Sequence, residues 1–362
     1  MMARLGDICT VVSGSTPKSV VPEYWDGDVK WITPAELDDD SYIISDSVRH
    51  ITTLGVTKTG LKPFPAGTVI LSSRAPIGKT AIAGCEMYCN QGFKNLVCSN
   101  NIDSKYLYFF LSSKRDYLNS LGRGATFKEI SKTIVENIEI PLPEVAEQKA
   151  ITTRFENLMK LIQLRKTELE KLDQLVKSRF IELFIGKGYS TKTIDEVSLG
   201  KGEYGAQSAS IEYDPTRPRY VRITDINDDG TLNDDVVASI NPDDDEQYRL
   251  EYGDFLFARM GATVGKTFAF IAGNQIFAGY LIRYKLNQKL INPRYLFWYT
   301  KLDEYWNWVK LNQSGAAQPG INAKKYGSLR IPVPPVAEQE QFAAFVERTD
   351  KSKLCGEMGV AA

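Results

Sequence analysis

The chain has 362 residues, 43% hydrophobic and 25% charged, with 44 Lys and Arg against 45 Asp and Glu and a formal net charge of −1. That balance excludes a chain-wide basic footprint for nucleic acid, so any such contact comes from local patches. No apolar run is long enough to span a bilayer, Met1–Val12 carries no signal-peptide pattern, and five cysteines in a chain of this length make no disulfide framework, which together point to a reducing cytoplasm.

In chain order, the N-terminal half reads mostly as strands. Val69–Leu71 is a short apolar run after a Pro/Gly turn. A glycine-bearing loop leads to Thr80–Ala83, and an aromatic-rich helical segment begins near Tyr106. A glycine loop (Gly124 to Ile130) and IPLP follow. Glu144 to Phe184 then runs without Gly or Pro, entered after Pro143 with Glu144, Glu147 and Gln148 in its first turn. Its apolar residues recur at heptad spacing: Ile151, Phe155, Leu158, Ile162, Leu169, Leu172, Val176 and Leu183. The spacing predicts a coiled-coil helix about 60 Å long, ended by Gly186 and Gly188.

Beyond it the first half returns. IPLPEVAEQKAI (Ile140 to Ile151) reappears as IPVPPVAEQEQF (Ile331 to Phe342), and GTVILSSRAPIGKTAIAG (Gly67 to Gly84) as GDFLFARMGATVGKTFAFIAG (Gly253 to Gly273). Tyr106-Leu107 pairs with Tyr295-Leu296, GATFKEI with GAAQPGI (Gly315 to Ile321), and Trp31-Ile32-Thr33 with Arg222-Ile223-Thr224. This is a tandem duplication of one α+β domain with its sheet dominant. The expected boundaries are 1–143, the helix 144–184, 185–334, and a short second helix and tail over 335–362, where only Phe342 and Val346 keep the seam.

The repeated Gly-Lys-Thr (Gly78-Lys79-Thr80, Gly265-Lys266-Thr267) fails as a phosphate loop, because Ser73 and Met260 stand at the first-glycine positions and a strand follows. What repeats is an arginine before the Gly-Lys, Arg74 and Arg259. Such a loop can grip phosphates or reach a base edge; equally, it can be a hairpin needing glycine for positive φ, with surface charges beside it. Both readings stand at this stage. GKGEYG (Gly200 to Gly205) lacks a following helix and reads as a turn before a strand. Cys85, Cys89 and Cys98 lack zinc spacing, and His50, the one histidine, leaves no Ser/His or Cys/His pair for both halves. The acid runs near Asp38, Asp228 and Asp243 read as solvated turns. The aromatic segment Tyr295 to Trp308 could stack bases but fits a core helix.

The order of globular half, long helix, globular half and helix, with LGDICTVVSGSTPK, SSRAPIGKTAIA, FARMGATVGKTFAF, SGAAQPGIN and the paired IPLPEVAEQ/IPVPPVAEQ, resembles the specificity subunits of Type I restriction–modification systems. The resemblance implies two target-recognition domains, each reading half of a bipartite site in double-stranded DNA. It implies a helical spacer on which modification (methyltransferase) subunits dock, and restriction subunits that join them. No catalysis, metal or cofactor is expected in this chain, and S-adenosylmethionine is expected only in the methyltransferase. The expected DNA-binding residues are Ser73, Arg74, Gly78, Lys79, Arg259, Gly265, Lys266, Gly315, Gln318 and Asn322, with Gly14 to Pro17 a weaker group. Against the family layout the second helix reads as truncated. The implied remedy is a covering helix from a second copy of this chain or from a complementary fragment. The alternative function is a coiled-coil assembly scaffold without DNA reading of its own.

Overall fold

A computed structural model describes residues 1–74, 76–124, 128–240, 246–315 and 319–358, with side chains described through 350. The chain divides into two compact units, Met1–Gln163 and Leu164–Ala362, the division falling inside the long helix.

Unit 1 contains strands β1 (Met2–Arg4), β2 (Cys9–Val12), β3 (Trp25–Ile32), β4 (Ile43–Ile44), β5 (His50–Ile51), β6 (Val69–Leu71), β7 (Thr80–Ala83), β8 (Tyr88–Cys89), β9 (Asn95–Cys98) and β10 (Glu139–Pro141). Its helices are α1 (Leu5–Ile8), α2 (Thr53–Thr59), α3 (Ser104–Ser112), α4 (Arg115–Ser120) and α5 (Lys132–Glu136), followed by α6 (Val145–Phe184), which continues into unit 2. Unit 2 contains β11 (Thr191–Thr193), β12 (Glu203–Tyr204), β13 (Ile211–Glu212), β14 (Arg219–Val221), β15 (Ala238–Ser239), β16 (Asp254–Ala258), β17 (Thr267–Ala269), β18 (Gln275–Phe277), β19 (Leu281–Lys285) and β20 (Arg330–Pro332). With them are α7 (Pro293–Tyr299), α8 (Asp303–Asn312), α9 (Ala323–Gly327) and α10 (Val336–Met358). The fold is α+β, built twice.

The duplication is visible in strand order. Unit 1 orders its main sheet β2-β9-β6-β7-β4 and unit 2 orders its own β12-β19-β16-β17. The parallel pair β3/β8 has its counterpart in β14/β18, and the closing pair β1/β10 in β11/β20. Register also corrects one pairing from sequence. Trp31 and Ile32 lie opposite Tyr88 and Cys89, as Tyr220 and Val221 lie opposite Ile276 and Phe277. Trp31-Ile32-Thr33 therefore corresponds to Tyr220-Val221-Arg222, two residues from the match that letter similarity suggests.

The central strands are apolar throughout because both sheet faces are covered. Val69, Leu71 and Ile82 face the helices with Leu107 and Leu111, while Ile70, Ala81 and Ala83 face Ile32, Phe64 and Phe93. Phe255, Phe257 and Tyr284 repeat the first layer, and Leu256, Ala258 and Leu281 the second. The aromatic segment of unit 2 is core, as expected: Tyr295, Tyr299 and Tyr305 are buried. It forms two helices rather than one, α7 starting on the Asn292 cap with Pro293 in its first turn.

Helix α6 runs 40 residues and ends at Gly186 (φ +72°). Its two ends are spent on the globular units. Phe155 stacks on Phe109 with centroids 4.9 Å apart, and Val176, Phe180 and Phe184 enter the core of unit 2. Phe180 and Phe184 fall outside the heptad seam, yet their rings touch Tyr295 and Phe342. Between the ends Leu158, Leu161, Leu164 and Leu175 are exposed, whereas Ile162, Leu169, Leu172 and Leu183 are half-buried. The second helix is longer than its weak period suggests: α10 runs 23 residues, about six turns, with Phe342 and Val346 buried as expected.

Candidate nucleic-acid interface

The Gly-Lys turns are one structure made twice. Ser72 N–H donates to the Lys79 carbonyl (2.9 Å) and Gly78 N–H to the Ser72 carbonyl (3.0 Å); Ala258 donates to Lys266 (2.8 Å) and Gly265 to Ala258 (3.1 Å). Gly78 and Gly265 have φ of +91° and +92°, and a Cβ on Gly265 would lie 2.9 Å from the Trp306 ring. The glycines repeat for backbone reasons. The lysines face inward as well. Lys79 Nζ donates to the Leu37 carbonyl. Lys266 Nζ donates to the Ile226 carbonyl (3.2 Å) and pairs with Asp228 (2.8 Å), holding that carboxyl below its usual range. Each amine ties its turn to the chain just after a short 3₁₀ turn, Pro34–Glu36 or Ile223–Asp225.

Past each turn the frame continues in step. Ser73 N–H donates to Gly92 and its carbonyl accepts from Ile130; Arg259 N–H donates to Tyr280 and its carbonyl accepts from Ile321. Ser73 is therefore the counterpart of Arg259, and Arg74 of Met260, so the two arginines stand one position apart. Ser73 is fully buried, its hydroxyl 3.4 Å from Lys94 Nζ. Arg259 lies over the Tyr204 ring at 4.8 Å and reaches the Gly279 carbonyl at 3.4 Å. The glycine loops close alike, Arg123 pairing with Glu129 and Ser314 with Gly320. Gly315 is exposed at φ +104°, Gln318 lies outside the described residues, and Asn322 caps α9 by accepting from Lys325 N–H (2.9 Å).

These pieces meet at one face in each unit. In unit 1 an open cleft of about 690 Å³ is lined by Thr33, Pro34, Ala35, Arg74, Pro76, Ile77, Asn90, Asn119, Lys128 and Glu129. Buried Lys94 crosses beneath it to Glu129 (3.0 Å). Gly14 belongs to the same side. Ser15 N–H donates to Cys89 O (3.0 Å), and a Cβ on Gly14 would sit 1.7 Å from that oxygen, so only glycine lets the chain pass. In unit 2 the frame positions of Asn90 and Gly92 hold Ala278 and the exposed Tyr280, from the matched bonds Asn90→Ile32 and Ala278→Val221 and those of Ser73 and Arg259.

Residue spacing alone missed the anchor that joins each sheet to its helix. Gln148 is fully buried; its Oε1 accepts from Asp103 N–H (2.8 Å) and its Nε2 donates to the carbonyls of Asn101 (3.0 Å) and Pro143 (2.8 Å). Gln339 makes the same three bonds, to Asn292 N–H (2.8 Å) and to Leu290 (3.0 Å) and Pro334 (2.8 Å) carbonyls. Tyr106 and Tyr295 donate to Pro141 and Pro332 at 2.9 Å beside them. The repeated VAEQ was the signal; the reason for its glutamine is the pairing of three backbone groups that burial would otherwise leave unmatched.

Among the described residues no group of three or more His, Cys, Asp or Glu is gathered for a metal, and no helix is long and apolar enough to cross a membrane. The Type I restriction modification DNA specificity domain matches twice, over residues 1–174 and 187–355. The MjaIX specificity subunit of Methanocaldococcus jannaschii is 26% identical over 374 residues, covering 95% of this chain and 85% of its own. The EcoKI specificity subunit of Escherichia coli K12 is 24% identical over 81% of this chain and 69% of its own. Two solved structures share the fold. One is a chain from a study of complex assembly and conformational transition of the type I R-M system, with TM-score 0.61 at 18% identity. It is matched over 100% of this chain and 92% of its own. The other is the S subunit of a Type-I restriction-modification system from M. genitalium, with TM-score 0.54 at 16% identity and the same coverage. Two matched domains over nearly the whole chain, on a frame built twice, make it a member of the family of Type I restriction–modification DNA specificity subunits.

Proposed function

We propose that each unit reads one half of a bipartite DNA site, and that the chain supplies sequence choice to methyltransferase and restriction subunits without catalysing a step itself. S-adenosylmethionine then binds in the methyltransferase. The observation that carries this reading is a turn-and-strand frame whose backbone bonds recur in both units while the side chains at one face differ: Arg74 and Asn90 against Met260 and Ala278. A constant frame with a changed reading face suits two domains that recognise different sequences. On this reading the arginines and the Gly124 and Gly315 loops meet DNA, while Lys79 and Lys266 shape the turns that carry them. The exposed leucines in the middle of α6 form the surface offered to protein partners.

The test is to assemble the chain with its cognate methyltransferase subunits and sequence the bases methylated in random duplex DNA. Two short specified blocks separated by an unspecified gap are expected. Exchanging 1–143 for the same region of a relative changes one block only. A single continuous block, or a change in both, refutes the reading.

A further inference from the structure

The cleft of unit 1 has an apolar floor, including Pro34 and Ile77, and a polar rim. Given that unit 1 reads DNA, the state of each rim group limits what it can read. Glu129 is taken up by Lys94 at 3.0 Å. The Asn90 side-chain oxygen accepts from Gly92 N–H at 2.8 Å, which leaves its NH₂ group as the free end. Arg74 makes no side-chain hydrogen bond or ion pair among the described residues, and neither does Lys128. Arg74, Lys128 and the Asn90 amide are thus uncommitted donors, above a floor that suits the flat side of a base, while the Asn119 amide donates to the Arg115 carbonyl (3.1 Å) and leaves its oxygen as an acceptor beside them.

Arg74 brings parallel donors on one rigid plane and no acceptor, so it selects an edge made of two acceptors. In the major groove the guanine edge presents N7 and O6, both acceptors, and an arginine fork matches them. Adenine presents one acceptor and one donor, and an arginine fork, which has no acceptor, cannot pair with both. In unit 2 the corresponding positions are Met260 and Ala278, which offer neither donor. We infer that Arg74 reads a guanine in the half-site of unit 1, with the Asn90 amide as a second donor, and that unit 2 has no counterpart of this contact.

This inference rests on the DNA-reading role proposed above, and one experiment separates the two. The chain is assembled with its cognate methyltransferase subunits and given a randomised duplex library, and the methylated sites are sequenced for wild type, Arg74→Ala, Arg74→Lys and Asn90→Ala. The expected result is that both Arg74 variants lose preference at one guanine of one block by about ten- to hundred-fold. Arg74→Lys fails because it keeps the charge and loses the fork. Asn90→Ala should weaken the same position less, and the other block should stay intact. Because the Arg74 side chain has no internal partner, its variants should melt with the wild type. Three results would overturn the inference and leave the wider reading standing: an unchanged motif, a relaxed position that is not guanine, or an even loss across all sequences. Methylation by the wild-type complex without any sequence requirement would overturn both.

Discussion

Units 1 and 2 keep one backbone frame and fill its interior differently. The pairings Ser72 with Phe93 and Ala258 with Leu281 set Asn95 opposite Arg283 in the comparison. Asn95 is buried with one polar contact, its amide 3.2 Å from Cys89 Sγ, and its oxygen has no hydrogen-bond partner among the described residues. Arg283, equally buried, donates to Glu203 (2.9 Å), the Arg249 carbonyl (2.9 Å) and the Gln247 carbonyl (3.2 Å), and approaches Asp254 (3.4 Å). The turn before the strand changes in step. The Thr68 hydroxyl donates to the Pro65 carbonyl (2.7 Å), whereas the Asp254 carboxylate accepts from Glu251 N–H (3.0 Å). Proline has no N–H to give, so the direction of the bond reverses with the residue. A frame of this kind admits a buried charge when the whole set of partners arrives with it.

The comparison breaks most severely at Arg283. Arg283→Met should leave Asp254 buried without its cation and cost unit 2 about 3–5 kcal/mol, with unit 1 unaffected. Hydrogen exchange followed peptide by peptide distinguishes the units, and equal loss of protection in unit 1 would contradict their independence. Adding Asp254→Thr should recover much of the loss.

The glutamine anchors predict the opposite, equal behaviour. Gln148→Ala and Gln339→Ala each strand one N–H and two carbonyls, at a cost of about 2–4 kcal/mol, each in its own unit. A difference of more than about 2 kcal/mol between the two would show that the anchors are equivalent in geometry alone.

A smaller effect distinguishes the units by pH. The matched hydroxyl pairs Thr80–Ser112 and Thr267–Thr300 make Ser113 the counterpart of Lys301. Burial lowers the Lys301 amine from 10.5 to about 8, with Asp228, Asp229 and Asp173 opposing that shift and Lys266 adding to it. Below pH 8 the amine is charged in both folded and unfolded chains. From 8 toward 10.5 the unfolded chain holds the proton that the folded chain has released, so unit 2 gains stability as pH rises. Denaturant melts up to about pH 10, before most tyrosines ionise, should show a gain of order 2 kcal/mol in unit 2 that Lys301→Met abolishes. A flat profile would mean that the amine stays charged.

The smallest effect concerns cations on one face. Removing exposed Lys128 should shallow the salt dependence of DNA binding by about one unit of slope. Removing Lys79, held by the Leu37 carbonyl, should leave that slope alone. Equal slopes for both variants would return Lys79 to the DNA.

The duplication, the long helix and the α+β class were legible because they rest on period and repetition. The heptad seam was legible as a row, but not the division of labour within it: Phe180 and Phe184 act as core residues of unit 2, which depends on contacts distant in sequence. At the candidate face, letters alone showed an arginine before each Gly-Lys. That the two arginines stand one position apart needed the backbone bonds of Ser73 and Arg259. Nor could spacing reveal that both lysines turn inward, since an amine bound to a carbonyl and one bound to a phosphate look alike in sequence.

The partners of the glutamine anchors are main-chain atoms in every case. A backbone amide and two carbonyls are present whatever side chains surround them, so the glutamine anchor between sheet and helix carries no record of the sequence it holds. A recognition unit of foreign origin, ending at the proline before the helix, would meet the same backbone socket, and only the contacts of Phe155 with Phe109 and of Glu156 with Tyr42 and Lys105 would depend on its side chains. Such a joint makes the reading face exchangeable by recombination. Crossovers just upstream of the VAEQ segment would yield chains with new combinations of half-sites seated on an anchor already in place.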